Sequence, residues 1–187
     1  MSTRTYPVAP LRKVSLATFA VILALLPLGV LVAFSTGRIE PDGLRIAQAF
    51  FLTLMPFAIL IPALRRREVI FDGETLTVKA AFHTRRRRVP DLDVTAARIV
   101  DLNEEKALRP IFRRFGFSLI GFHAGHYRLW GLKKAFALIT TCERVLALPE
   151  RDGTLLLMSL ERPQQLIDAL QTEGVRTKYR IRQVTDA

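Results

Sequence analysis

The chain has 187 residues, 50% of them hydrophobic and 24% charged, with 28 Lys and Arg against 17 Asp and Glu for a formal charge of +11. That apolar content excludes a generically disordered chain. The single cysteine, Cys142, excludes an internal disulfide framework and cannot by itself supply a thiolate metal cluster. The basic excess is uneven: residues 1–67 carry eight basic and two acidic residues, and residues 68–187 carry twenty and fifteen.

Residues 1–13 form a short polar tail with Arg4, Arg12 and Lys13. Two runs without any charge follow, 14–34 and 46–64, of 21 and 19 residues. As helices they span roughly 31 and 28 Å at 1.5 Å per residue, matching a hydrocarbon core of about 30 Å. A soluble core helix rarely stays apolar on all faces for five turns, so the pair predicts a transmembrane hairpin. The first run is long for a signal-peptide core, and no small-residue cleavage site precedes Gly37. Pro27, Pro56 and Pro62 lie inside the runs and predict kinks.

The connection 35–45 is turn-rich, with two acids and two bases, whereas Arg12 and Lys13 precede the first run and Arg65, Arg66 and Arg67 follow the second. Basic residues are retained on the cytoplasmic side. The expected arrangement is a multi-pass protein of the inner (plasma) membrane with both termini cytoplasmic, so the lipid bilayer is the first partner. Neither run contains an ionisable residue, which gives no proton relay or ion site to argue for. The hairpin, residues 1–67 with their tail, reads as an anchor.

Beyond residue 67 the period changes to alternation. Residues 68–72 and 74–80 predict two strands joined at Asp72-Gly73, and a basic strand over 84–89 stops at Pro90. A further strand is expected over 95–102. Residues 110–131 read as irregular, rich in glycine and aromatics. Strands are expected at 127–132, 135–141, 144–149 and 154–160, the last two a hairpin about Asp152-Gly153. Leu166, Ile167 and Leu170 then share a helical face, Gly174 stops that helix, and 174–187 reads as a loose basic tail. The expected fold class is α+β: a two-helix hairpin, then a small antiparallel barrel or sandwich over 68–173 capped by a C-terminal helix.

This order of strands resembles the bacterial pleckstrin-homology-like domains of membrane-anchored proteins. The resemblance rests on FGFSLIG at 115–121 leading into GHYRLWG at 125–131, then LIT at 138–140, VLAL at 145–148, the Asp152-Gly153 turn, and SLERP at 159–163 ahead of the helix. It covers about residues 67–172 and implies a seven-stranded barrel capped by its helix. It also implies binding and assembly at a membrane, with no chemistry, ligand or functional residue to carry over.

Among charged features, Arg85, Arg86, Arg87 and Arg88 stand out. They read either as a contact for anionic lipid head groups or an acidic partner, or as a solvated edge strand. On a strand, Arg85 and Arg87 point one way and Arg86 and Arg88 the other. Arg113 and Arg114, interleaved with Phe112, Phe115 and Phe117, are a second candidate contact with membrane or acidic partner. No motif for reading RNA or DNA is present, so nucleic acid is not an expected partner. His123 and His126 lack a third ligand at defined spacing, so no metal is expected. The glycines 116, 121, 125 and 131 fit no phosphate loop and read as bends and bulges in a tightly curved sheet. Ser118 and Ser159 lack a nucleophile-elbow setting, and Cys142 lacks a recognisable base. No catalytic or cofactor-binding residues are assigned. The sequence therefore leads to a non-enzymatic membrane protein that docks a protein partner or its own copies. Its rivals are a head-group reader and a membrane enzyme acting on lipid or envelope precursors.

Overall fold

Both charge-free runs are helical in the computed structural model, which describes residues 3–11, 13–37 and 42–185. Helix α1 covers Lys13–Ser35 and α2 covers Gly43–Arg65, each continuing through its prolines. Both are long and apolar enough to cross a membrane by length and composition, and nearly all of their surface is uncovered by the rest of the chain. Arg12 and residues 38–41 of the connection lie outside the described residues.

Among the described residues the rest of the chain is α+β, with two sheets and no closed barrel. The first sheet has the order β1-β2-β3-β4, made of Arg4–Tyr6, Arg67–Phe71, Thr75–Ala80 and His83–Arg88. The second has the order β5-β9-β10-β8-β7-β6. Its strands are β5 Arg98–Val100, β6 Pro110–Leu119, β7 Phe122–Leu129, β8 Lys134–Ile139, β9 Val145–Pro149 and β10 Leu155–Ser159. The expected barrel does not close because β4 hands over to β5 without pairing to it. Pro90 has no N–H to offer a ladder, and two 3-10 turns, Val89–Asp91 and Val94–Ala96, carry the chain from one sheet to the other. These turns also shorten the strand expected over 95–102.

The sheets share a core. Val69, Phe71, Leu76, Val78 and Ala80 of the first meet Phe122, Ala124, Phe136, Leu138, Leu146, Leu148, Leu156 and Met158 of the second. Leu166, Ile167 and Leu170 of helix α3, Pro163–Thr185, join them, so the helix caps this core on the expected face. The second sheet buries its other face too, around Tyr127, Leu129, Ala137, Val145 and Leu157.

Four further expectations need correction. The antiparallel expectation fails at β10, which lies parallel to β8 and antiparallel to β9. The 140–144 connection therefore crosses the end of β10, where Ser159 Oγ accepts the Thr140 N–H at 3.2 Å and donates to the Thr141 carbonyl at 2.9 Å. Residues 110–131, read as irregular, form the long hairpin β6–β7 with two register shifts. Gly116 and Gly125 face each other there: a Cβ on Gly125 would lie 2.6 Å from Gly116 Cα. Those glycines let two backbones approach, in keeping with their reading as bends and bulges of a curved sheet. Gly174 does not stop α3, which continues to Thr185. Its φ is not in the left-handed region that a glycine cap requires, and an internal helical glycine costs only about 1 kcal/mol.

The fourth correction concerns the polar tail. Arg4, Thr5 and Tyr6 pair with Phe71, Ile70 and Val69. Ala9 N–H then donates to the Ser159 carbonyl at 2.9 Å, and the buried Thr140 hydroxyl donates to the Ala9 carbonyl at 2.8 Å. The segment before α1 is thus a working part of both sheets. Because β1 leads to α1 and β2 follows α2, both helices leave from the same sheet.

Candidate functional site

The register of β4 sorts its arginines. Arg85 lies opposite Val78 and Arg87 opposite Leu76, both core residues. Directly paired residues share a face, so Arg85 and Arg87 turn inward, while Arg86 and Arg88, opposite Thr77 and Thr75, are exposed outside. The four-arginine run is therefore two different features.

What receives the inward pair is the end of the β9–β10 hairpin. Glu150, its side chain 1% exposed, accepts from Arg85 Nε at 3.1 Å, Arg85 Nη2 at 2.6 Å and Arg87 Nε at 2.8 Å. Asp152 Oδ2 accepts from Arg87 Nη2 at 2.9 Å and Arg85 Nη2 at 3.4 Å, while Oδ1 accepts the Thr154 N–H at 2.8 Å. The hydrogen bond to Glu150 pushes the Arg87 pKa up. At Asp152 burial works upward, but the Thr154 bonds and the two guanidiniums outweigh it and hold the carboxyl below its ordinary value.

The second sheet supplies the opposite wall. His126 pairs with core Phe136, and Arg128 with Lys134, on the face that Phe122 and Ala124 begin as core. The shared face thus changes along β7 from apolar to basic. Arg114, at a register shift of β6, and the exposed Phe115 close one side. Together these groups bound a cleft of about 410 Å³, lined by Arg85, Arg87, Arg114, Phe115, His126, Tyr127, Arg128, Lys134, Ala135, Asp152 and Thr154. Five cations face one lining carboxylate, with Glu150 beneath. Among the described residues, Arg114, Arg128 and Lys134 take part in no ion pair.

His126 is biased toward its neutral form. Burial pushes its pKa down, and Arg85 and His83 push the same way; its ring meets His83 edge-on at 5.8 Å and Phe136 at 4.9 Å. His123, three positions earlier on the strand, faces the other side, where Nδ1 contacts Ser118 Oγ at 2.9 Å. The two imidazoles therefore do not converge on one point. Chemically the cleft is a set of forked and point cations suited to carboxylates or phosphates.

Of the sequence candidates, the cleft gathers Arg85, Arg87 and Arg114. It leaves out Arg86 and Arg88, and also Arg113, which pairs with Tyr127. Lys13 begins α1, Arg65 ends α2, and Arg66 caps α2 with its N–H on the Pro62 carbonyl. Arg67 opens β2 on the inner face opposite Ala80, half-buried, with Nε and Nη1 lacking a hydrogen-bond partner. Arg128 and Lys134 were missed, as were the acids Glu150 and Asp152. The alternation of 122–128 held part of the signal, since Arg128 has the same parity as Phe122. Comparison with protein-family models, curated proteins and solved structures finds no match to this chain.

Proposed function

We propose that the chain is a membrane-anchored, non-enzymatic docking protein of the bacterial pleckstrin-homology-like kind. In this reading α1 and α2 hold the sandwich at the cytoplasmic face of the inner membrane. The basic cleft then takes an acidic segment of a neighbouring protein or of a second copy. The observation that carries it is the cleft's imbalance: three cations without an ion pair beside two whose charge is met by acids. An anchored module meets membrane neighbours at high effective concentration, so a weak charged interface suffices.

Placement favours a protein segment over head groups. Arg128 lies seven residues along β7 from the Gly121 turn that touches α1, roughly 23 Å at about 3.3 Å per residue. That is well beyond a Debye length of about 8 Å. The test uses full-length protein in nanodiscs of neutral lipid and a fluorescent peptide alternating Glu with Phe. Arg114→Gln, Arg128→Gln and Lys134→Gln together are expected to weaken binding about tenfold, at about 0.5 kcal/mol per contact, and more salt should erase the difference. Arg86→Gln with Arg88→Gln serves as the outer-face control and should bind like wild type. Equal loss in the control, or no peptide binding at low salt, overturns the reading. Displacement of the peptide on switching to anionic lipid transfers the cleft to head groups.

A further inference from the structure

The sandwich presents two apolar turns where it meets the anchor. In the β3–β4 turn, Ala81 N–H donates to the carbonyl of Arg66, the residue directly after α2, at 3.0 Å. Ala80 and Ala81 are fully buried there, yet Phe82 is 52% exposed. In the β6–β7 turn, Gly121 adopts φ +74°, and a Cβ on it would lie 2.6 Å from Ser15 Oγ in the first turn of α1. Its neighbour Ile120 is 65% exposed. One turn tip therefore sits at the exit of α2 and the other at the entry of α1.

Depth follows from α1 itself. Ser15 and Phe19 are buried, whereas the rest of the helix is largely open. Phe19 lies six residues beyond Lys13, about 9 Å along the axis at 1.5 Å per residue, so protein covers α1 well past its first charged residue. Lys13 begins α1 while Arg65 and Arg66 end α2, so these exposed cations share one end of the hairpin, where anionic lipid phosphates attract them. Exposed apolar tips with a cationic collar, continuous with apolar helices, match the layout of an interfacial surface.

We propose that this edge of the sandwich is seated in the bilayer, with Phe82 and Ile120 immersed in lipid beside the anchor helices. The inference rests on the anchor reading above and adds to it: the domain stands on the membrane in one fixed orientation instead of swinging on a tether. Arg128 and Lys134 of the cleft then lie at the end of β7 opposite the immersed turn.

The experiment exploits the lone tryptophan. Trp130 is 72% exposed just past the far end of β7, about 30 Å from the Gly121 turn for nine residues at about 3.3 Å each. Full-length protein is placed in nanodiscs with or without lipids brominated on their acyl chains. Wild type reports Trp130; Phe82→Trp and Ile120→Trp, each alone and in a Trp130→Phe background, report the tips. Phe51→Trp, within α2 and on its exposed surface, reports the anchor. The expected result is strong quenching at positions 51, 82 and 120 and none at Trp130. Quenching at 51 with both tips bright overturns the seated edge and leaves the anchor standing. No quenching at 51 removes the anchor reading and this inference with it. Quenching of Trp130 equal to the tips also overturns the proposal, since the contact would then not be this edge.

Discussion

Glu150→Gln removes one charge without changing shape, at the point where the two sheets exchange their strongest polar contacts. The carboxylate is 99% withdrawn from water and accepts three guanidinium hydrogen bonds. Breaking a fully buried pair by removing one partner costs about 3–5 kcal/mol. Here the arginine side chains keep 20% and 28% exposure, and Asp152 remains 2.9 Å from Arg87, so solvent and the second acid offset part of that. We expect a loss of about 2–3 kcal/mol, or roughly 10 °C in Tm for a domain of this size. Circular dichroism of the full-length protein during heating gives the number. Replacing Arg85 and Arg87 by Met together with Glu150→Leu should recover most of the loss, because apolar groups of similar volume leave no orphaned charge. A Glu150→Gln change within about 0.5 kcal/mol of wild type, the range of an ordinary surface substitution, would refute the buried-acid reasoning.

Other perturbations test separate links. Gly125→Ala places a Cβ 2.6 Å from Gly116 Cα at φ +118°; a loss of about 2–4 kcal/mol in urea unfolding is expected from crowding plus backbone strain. Tyr6→Ala empties a position only 7% exposed in β1 and should cost about 2–3 kcal/mol. A loose polar tail would show almost no change. Burial lowers the pKa of His123 and of His126, so the unfolded chain takes up protons first as pH falls. Stability is then complete above the ordinary value of 6.5, declines as pH drops below it, and levels off once the folded-state values are passed. His126→Gln should flatten the fall in Tm between about pH 7 and pH 5; an unchanged slope would remove His126 from the account.

Legibility in the sequence followed the range of the physical cause. The helices α1 and α2 were readable because every residue of 14–34 and 46–64 lacks charge, a purely local property. Strands β2 and β3 were readable from period-two alternation about Asp72-Gly73, β4 as a basic run stopped at Pro90, and β9 and β10 as short apolar runs flanking Asp152-Gly153. The face of Leu166, Ile167 and Leu170 was readable from helical spacing. The split of the four arginines into two pairs on opposite faces also followed from alternation, while the register with β3 decided which pair turns inward.

Relations between distant segments were not readable. Tyr6 belongs to a sheet only because Val69, far along the chain and across both helices, offers an open edge. Arg85 meets Glu150, 65 residues away, and nothing near either residue specifies that meeting. The parallel pairing of β8 with β10 depends on which strand edge remains free once β9 has turned back. Gly116 and Gly125 were readable as bends or bulges of a curved sheet, but not as partners whose backbones meet across a hairpin. Sequence by itself determined the two long apolar helices, the strand-forming runs and the inventory of cations, since each is a property of neighbours along the chain. Tertiary structure alone decided that two sheets form instead of a closed barrel, and that Arg128 and Lys134 face Arg85 and Arg87 across a cleft. That choice lies in which edges and faces pack together, and long-range packing leaves no periodic trace in the chain.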